Sequence, residues 1–127
     1  NRLAREYNRI LVSYIRPDGN FLEHPQLQKG LLWGLARMAS VHPEQVKDAG
    51  PFLMPFLESQ DPEHRGLASL AAGLLQEENA RKALESLCQD DRGFHLYWDY
   101  RLESVIVGIM AKRALFRMSN SFRSKTV

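Results

Sequence analysis

A chain of 127 residues with 44% hydrophobic, 25% charged and 9% aromatic residues is the size of one domain able to bury its own core, and its composition excludes collagen-like, disulfide-scaffold and wholly disordered classes. Its net charge of +2 conceals basic ends: residues 1–16 carry Arg2, Arg5, Arg9 and Arg16 against Glu6, residues 112–127 carry Lys112, Arg113, Arg117, Arg123 and Lys125 with no acid, and residues 17–111 hold 8 basic against 14 acidic residues. An acidic middle repels phosphate and argues against nucleic acid, no apolar run nears the roughly 18 residues that span a bilayer, and the single Cys88 fits a reducing, cytoplasmic setting.

Apolar spacing is helical nearly everywhere, and no stretch keeps a two-residue alternation long enough to propose a strand, so the chain reads as all-α. The spacing predicts a first helix over 2–16, with Arg2, Arg5 and Arg9 as a solvated stripe, ended by Pro17 and the turn Asp18-Gly19-Asn20. Asn1 opens directly into that segment without an initiating Met, the expectation for a piece of a longer protein. A second helix opens after His24-Pro25, turns Leu27, Leu31, Leu35 and Met38 inward and stops before His42-Pro43. A short helical turn then runs to Gly50, and Pro51 begins a helix carrying Phe52, Leu53, Phe56 and Leu57 with Pro55 in its first turn.

Asp61 is a good N-cap, Pro62 suits the first helical position, and Leu67, Leu70, Ala71 and Leu74 repeat at i, i+3, i+4, i+7 as a buried face. A shorter helix over 79–88 turns Ala80, Leu84 and Leu87 inward and breaks at Asp90-Asp91-Arg92-Gly93. The last helix is predicted over 98–118 with Leu102, Val105, Ile106, Ile109 and Met110 buried, followed by an aperiodic, flexible tail over 119–127.

His24-Pro25 and Asp61-Pro62 stand 37 residues apart, each opening a helix rich in Leu, Gly and Ala, and a third unit starts near Asp99. The segment GPFLMPFLESQDPEHRGLASLAAGLL resembles a HEAT repeat of the short bacterial kind, including the type related to bilin-lyase repeats. That resemblance implies a short right-handed α-solenoid of about three antiparallel helix pairs, an armadillo-like superhelix with units over about 1–40, 45–76 and 79–118 in one domain. It also implies that Pro55 bends the first helix of the middle unit, that Asp61-Pro62 caps the second, and that Arg65 pairs with an acid of a neighbouring unit. The first unit has His24-Pro25 and Gln28 in place of Asp61-Pro62 and Arg65, and the third has Asp99-Tyr100.

No Gly-rich phosphate loop, Ser-centred elbow or CxxC pair appears, so no catalytic residue and no cofactor is expected. Some HEAT-like enzymes hold two irons through His-Glu dipeptides. Glu23-His24 and Glu63-His64 reverse that order and read as turn residues, while His95, Asp99 and Glu103 would share a face of a helix that started early. Cys88 lies beside Gln89-Asp90-Asp91, whose two acids work against a reactive thiolate.

In a HEAT-like stack the second helices line a concave surface. Their outward faces would present Lys29, Trp33 and Arg37, then Arg65 and Ser69 with Gly73, then Tyr100, Arg101 and Ser104 with Gly108. Aromatic and Arg side chains around a small-residue floor suit peptide anchors. The apolar linker Phe94-His95-Leu96-Tyr97-Trp98 is expected to fold back as a cap over the open end of the stack, the alternative being that it forms part of the ligand surface. The expectation is a non-catalytic interaction or scaffold module that binds a protein or peptide, or other parts of a longer parent chain. The alternative is a HEAT-like cofactor- or metal-handling enzyme of the bilin-lyase or di-iron kind.

Overall fold

Prolines and one hairpin turn cut the chain into its elements. The computed structural model describes residues 25–126, with side chains from Gln26 to Ser119, together with Arg2, Arg5, Glu6 and Arg9. Those four isolated residues are helical and exposed, and Arg9 pairs with Glu6 at 2.7 Å; the rest of the expected first helix, the turn after Pro17 and Glu23-His24 lie outside the described residues.

Helix α1 spans Pro25–Val41. Two 3-10 segments, Pro43–Gln45 and Lys47–Leu53, lead into the single-turn helix α2, Met54–Leu57, which carries Pro55 in its first two positions. Gly50 does not stop a helix as expected, because the 3-10 segment runs through it and Pro51. Helix α3, Pro62–Leu75, starts where the cap chemistry requires: the Glu63 amide donates to Asp61 Oδ1 at 2.9 Å, and Pro62 sits where no intrahelical donor is needed. It ends at Gln76, in the left-handed region at φ 59°. A 3-10 turn, Glu78–Ala80, precedes α4, Arg81–Leu87.

Beyond Asp90 the all-α expectation fails. Residues Gly93–Trp98 and Arg101–Ile106 form strands β1 and β2 of an antiparallel hairpin, paired from Gly93 with Ile106 to Trp98 with Arg101. The last helix, α5, begins only at Val107 and is bounded by Thr126, so it takes in residues 119–126, whose lack of periodicity predicts no element. The described elements therefore make no solenoid: a hairpin stands where the third helix pair was expected. Two periods compete in this stretch. Leu102, Val105, Ile106 and Ile109 satisfy a helical repeat, but aromatic and β-branched residues dominate 94–106, and Phe94 and Leu96 alternate into the core. Consequently Leu102, Ile106 and Ile109, expected inside, are 69%, 40% and 42% exposed, while Met110 is buried.

Helix α3 is the hub, packing on both α1 and α5. Its Gly66 and Gly73, two turns apart, let neighbours touch the backbone. A Cβ on Gly66 would stand 2.0 Å from the Phe94 ring of β1, and one on Gly73 would stand 2.6 Å from Ala114 Cα of α5. The core gathers Leu32, Leu35 and Ala36 of α1, Leu53, Phe56 and Leu57 around α2, Leu67, Ala71 and Leu75 of α3, Leu84 of α4, and Val107, Met110 and Ala114 of α5. On α1 the buried stripe is rotated from the expected one: Leu32, Ala36 and Ala39 are inside and Leu27 is about half exposed. Among the described residues no helix is long and apolar enough to cross a membrane.

Candidate protein-binding surface

Lys29, Trp33 and Arg37 form one stripe of α1, as their four-residue spacing dictates, but that stripe faces the rest of the protein. Lys29 Nζ lies 3.0 Å from Asp61 Oδ2 and 3.3 Å from Glu63 Oε1, tying α1 to the start of α3. The Asp61 carboxylate holds the Lys29 ammonium above its ordinary pKa against the opposing effect of burial. Burial pushes the Asp61 carboxyl up, but the Lys29 ammonium and the Glu63 amide outweigh it and leave its pKa lowered.

Trp33 packs edge-on to Trp98, ring centroids 6.2 Å apart at 75°, and its Nε1 donates to the Tyr97 carbonyl at 2.7 Å. In a hairpin closed by the Trp98–Arg101 pair, Tyr97 turns its backbone groups away from β2, so Trp33 satisfies an acceptor the sheet itself leaves open. The Arg37 guanidinium lies 4.9 Å from the Trp98 ring centroid, with Nη1 3.4 Å from Asp99 Oδ1. These contacts seat the hairpin on α1; they do not leave Trp33 free as an anchor.

Arg65 and Ser69 are also internal. Arg65 Nε donates to Asp90 Oδ2 at 2.7 Å and Nη1 to the Ser59 carbonyl at 2.9 Å, joining α3 to the loop after α4. Burial raises the Asp90 pKa, and the hydrogen bonds from Arg65 and the Arg92 amide bring it below the ordinary carboxylate value. Ser69, fully buried, returns its hydroxyl to the Arg65 carbonyl at 2.8 Å. No concave face unites these residues with the rest of the expected set.

The remaining three sit on the hairpin. Ser104 Oγ is 3.3 Å from His95 Nδ1 across the strands, on the outward face with Tyr97 and Leu102. Asp99 and Tyr100 are the two turn residues, at φ 51° and 65°. A two-residue loop with both φ values positive is the type I′ turn, which ordinarily takes Asn or Asp and then Gly. Here Tyr occupies the glycine place and is 93% exposed, with Arg101 beside it making only a loose 3.7 Å pair with Glu103. Tyr97 and Leu102, 51% and 69% exposed, share the outward face of the hairpin, Arg101 lies with Trp98 and Glu103 on the other face, and Tyr100 stands at the turn between them, on a base locked by Trp33 and Arg37. The sequence raised Tyr97 only as part of an apolar linker and predicted Leu102 as buried; cross-strand pairing is what brings the two together on one face.

The metal arrangements raised from the sequence are not assembled. His95 lies on the outward face of β1, Asp99 in the turn and Glu103 on the opposite face of the hairpin, so their helical spacing does not apply. His64 is buried, with Nδ1 3.1 Å from Ser59 Oγ and its ring against Phe56. Among the described residues no group of three or more His, Cys, Asp or Glu is placed to hold a metal ion. Cys88, half-buried, donates to the Leu84 carbonyl at the end of α4.

Compared with protein-family models, curated proteins and solved structures, the chain matches none.

Proposed function

We propose that this chain is a non-catalytic protein-interaction module that binds another protein, or another part of a longer parent chain, through the tip of the β1–β2 hairpin. The observation that carries this reading is Tyr100. A Tyr at positive φ is disfavoured by about 1 to 2 kcal/mol relative to glycine, and at 93% exposure it recovers almost nothing from packing. A residue that weakens its own fold and covers nothing fits a role outside the fold. Tyr and Arg are the side chains that most often dominate binding energy, and a tip held at its base by Trp33 and Arg37 loses little freedom when it docks.

The test exploits the opposition of the two roles. Tyr100→Gly is expected to stabilise the protein by about 1 kcal/mol in urea unfolding, because it restores the preferred turn residue. The same variant combined with Arg101→Ala should lose, in affinity capture from source-cell extract, a protein that the native chain retains. Retention of the same proteins by both chains, or of none by either, would refute the hairpin tip as the binding surface.

A further inference from the structure

A second surface lies between α3 and α5. Helix α5 carries two stripes. Val107, Met110, Ala111, Ala114 and Met118 are buried, whereas Ile109, Lys112, Arg113 and Phe116, at i, i+3, i+4 and i+7, form a second stripe that no described element covers. Between that stripe and the end of α3 runs an open trough of about 740 Å³, floored by Gly73, Leu74, Ile109 and Phe116 and edged by Lys112, Arg113 and Arg117. Phe116 is 65% exposed. Among the described residues, none of the three cations comes within ion-pair distance of a carboxylate, and no acid lines the trough. Arg113 and Arg117 also border a neighbouring cavity lined by Asp99 and Glu103, but these acids make their ion pairs with Arg37 and, at 3.7 Å, with Arg101. Like charges four apart, such as Arg113 and Arg117, weaken an isolated helix slightly, so this arrangement is not explained by the stability of α5.

We infer that the α3–α5 trough receives an amphipathic helix of a partner protein, its apolar stripe seated on Leu74, Ile109 and Phe116 and its flanking Asp and Glu residues meeting Lys112, Arg113 and Arg117. The occupant is helical because a groove between two helices accepts the i, i+3, i+4, i+7 ridge of a third. It is acidic because the rim is uniformly cationic. A second copy docked by this same face about a two-fold axis would set these cations against each other. This inference rests on α3 and α5 and not on the hairpin tip, whose Arg101 lines an adjoining cavity that Arg113 and Arg117 border.

The probe is a fluorescent synthetic peptide of about 18 residues, roughly five helical turns, with a Leu stripe flanked by Glu, and a second peptide with Lys in place of every Glu. Titrated into the full chain and followed by anisotropy, the Glu peptide should bind at least about tenfold more tightly than the Lys peptide, with affinity falling as salt rises. The double substitution Lys112→Glu, Arg113→Glu should invert that preference, and Phe116→Ser should weaken whichever peptide binds. All three positions are exposed, and an unchanged urea midpoint verifies that each variant is folded. Equal binding of both peptides, absence of binding, or a preference that the charge reversal leaves intact would overturn the inference. So would groove-dependent self-association in sedimentation, or tighter binding to anionic phospholipid vesicles that the same substitutions abolish.

Discussion

Arg65 and Asp90 meet at 2.7 Å with 12% and 15% of their side chains exposed, and the guanidinium also donates to the Ser59 carbonyl. Removing one member of such a pair strands the other in a poorly solvated site, so Arg65→Met is expected to cost about 3 kcal/mol in denaturant unfolding. Trp33 is held in a different way. Its ring packs on Trp98 and its indole nitrogen occupies the outward carbonyl of Tyr97, so Trp33→Phe should cost about 1 kcal/mol through the lost hydrogen bond. Trp33→Ala should cost about 3 kcal/mol through lost packing as well. A Trp33→Ala variant as stable as the native protein would return this side chain to the role of a free anchor. The four-residue spacing of Lys29, Trp33 and Arg37 was legible as one stripe, but a single helix does not say what covers that stripe. The cover is the hairpin, whose turn carries Tyr where the recognisable Asp-Gly signal would have had Gly.

The contrast between Gly73 and Gly30 shows how far elements constrain one another. Alanine exceeds glycine in helix propensity by about 1 kcal/mol, and at Gly30 an added Cβ meets nothing within 4 Å, so Gly30→Ala should stabilise α1 by about that amount. At Gly73 the Cβ would stand 2.6 Å from Ala114 Cα, a backbone atom that only a shift of α5 can clear. Overpacking of this kind costs about 1 to 3 kcal/mol and should outweigh the propensity gain, leaving Gly73→Ala less stable than the native chain. Paired thermal melts read both signs at once. Elements bounded by local chemistry were legible: the Asp61-Pro62 start of α3, the proline-delimited end of α1 and the break after Cys88 all rest on caps and missing donors near in sequence. The hairpin was not, because Leu102, Val105, Ile106 and Ile109 satisfy a helical repeat and only the short run with Phe94 and Leu96 alternates. The decision lies in long-range contacts: Phe94 pressing on Gly66 and Trp98 lying against Trp33.

Across the whole molecule, charge pairs fasten the surrounding elements to the first half of α3. Lys29 joins α1 to Asp61 and Glu63, and Arg65 joins α3 to Asp90 in the loop that leads to β1. Asp61 and Asp90 both have folded-state pKa values below those of the unfolded chain. Each therefore contributes stability that is complete above the unfolded carboxylate pKa of about 4 and is lost as pH falls through the lower folded value. Lys29, raised in the folded state, contributes in the opposite sense: its share is complete below about pH 10.4 and disappears as pH rises through its folded pKa. Unfolding free energy should therefore be nearly flat across neutrality as far as these groups are concerned, with an acid limb set by the two aspartates and an alkaline limb set by Lys29. Asp61→Asn separates charge from capping, since Asn caps a helix about as well as Asp. That variant should keep α3, lose part of the neutral-pH stability and show a shallower decline below about pH 4, because the group that protonates is gone. Urea unfolding of the two proteins from about pH 2 to pH 8 measures the difference directly. Parallel acid limbs would mean that the Asp61 carboxylate adds nothing to the link between α1 and α3, leaving it to the Lys29–Glu63 pair and the apolar contacts of Leu32, Leu35 and Ala36.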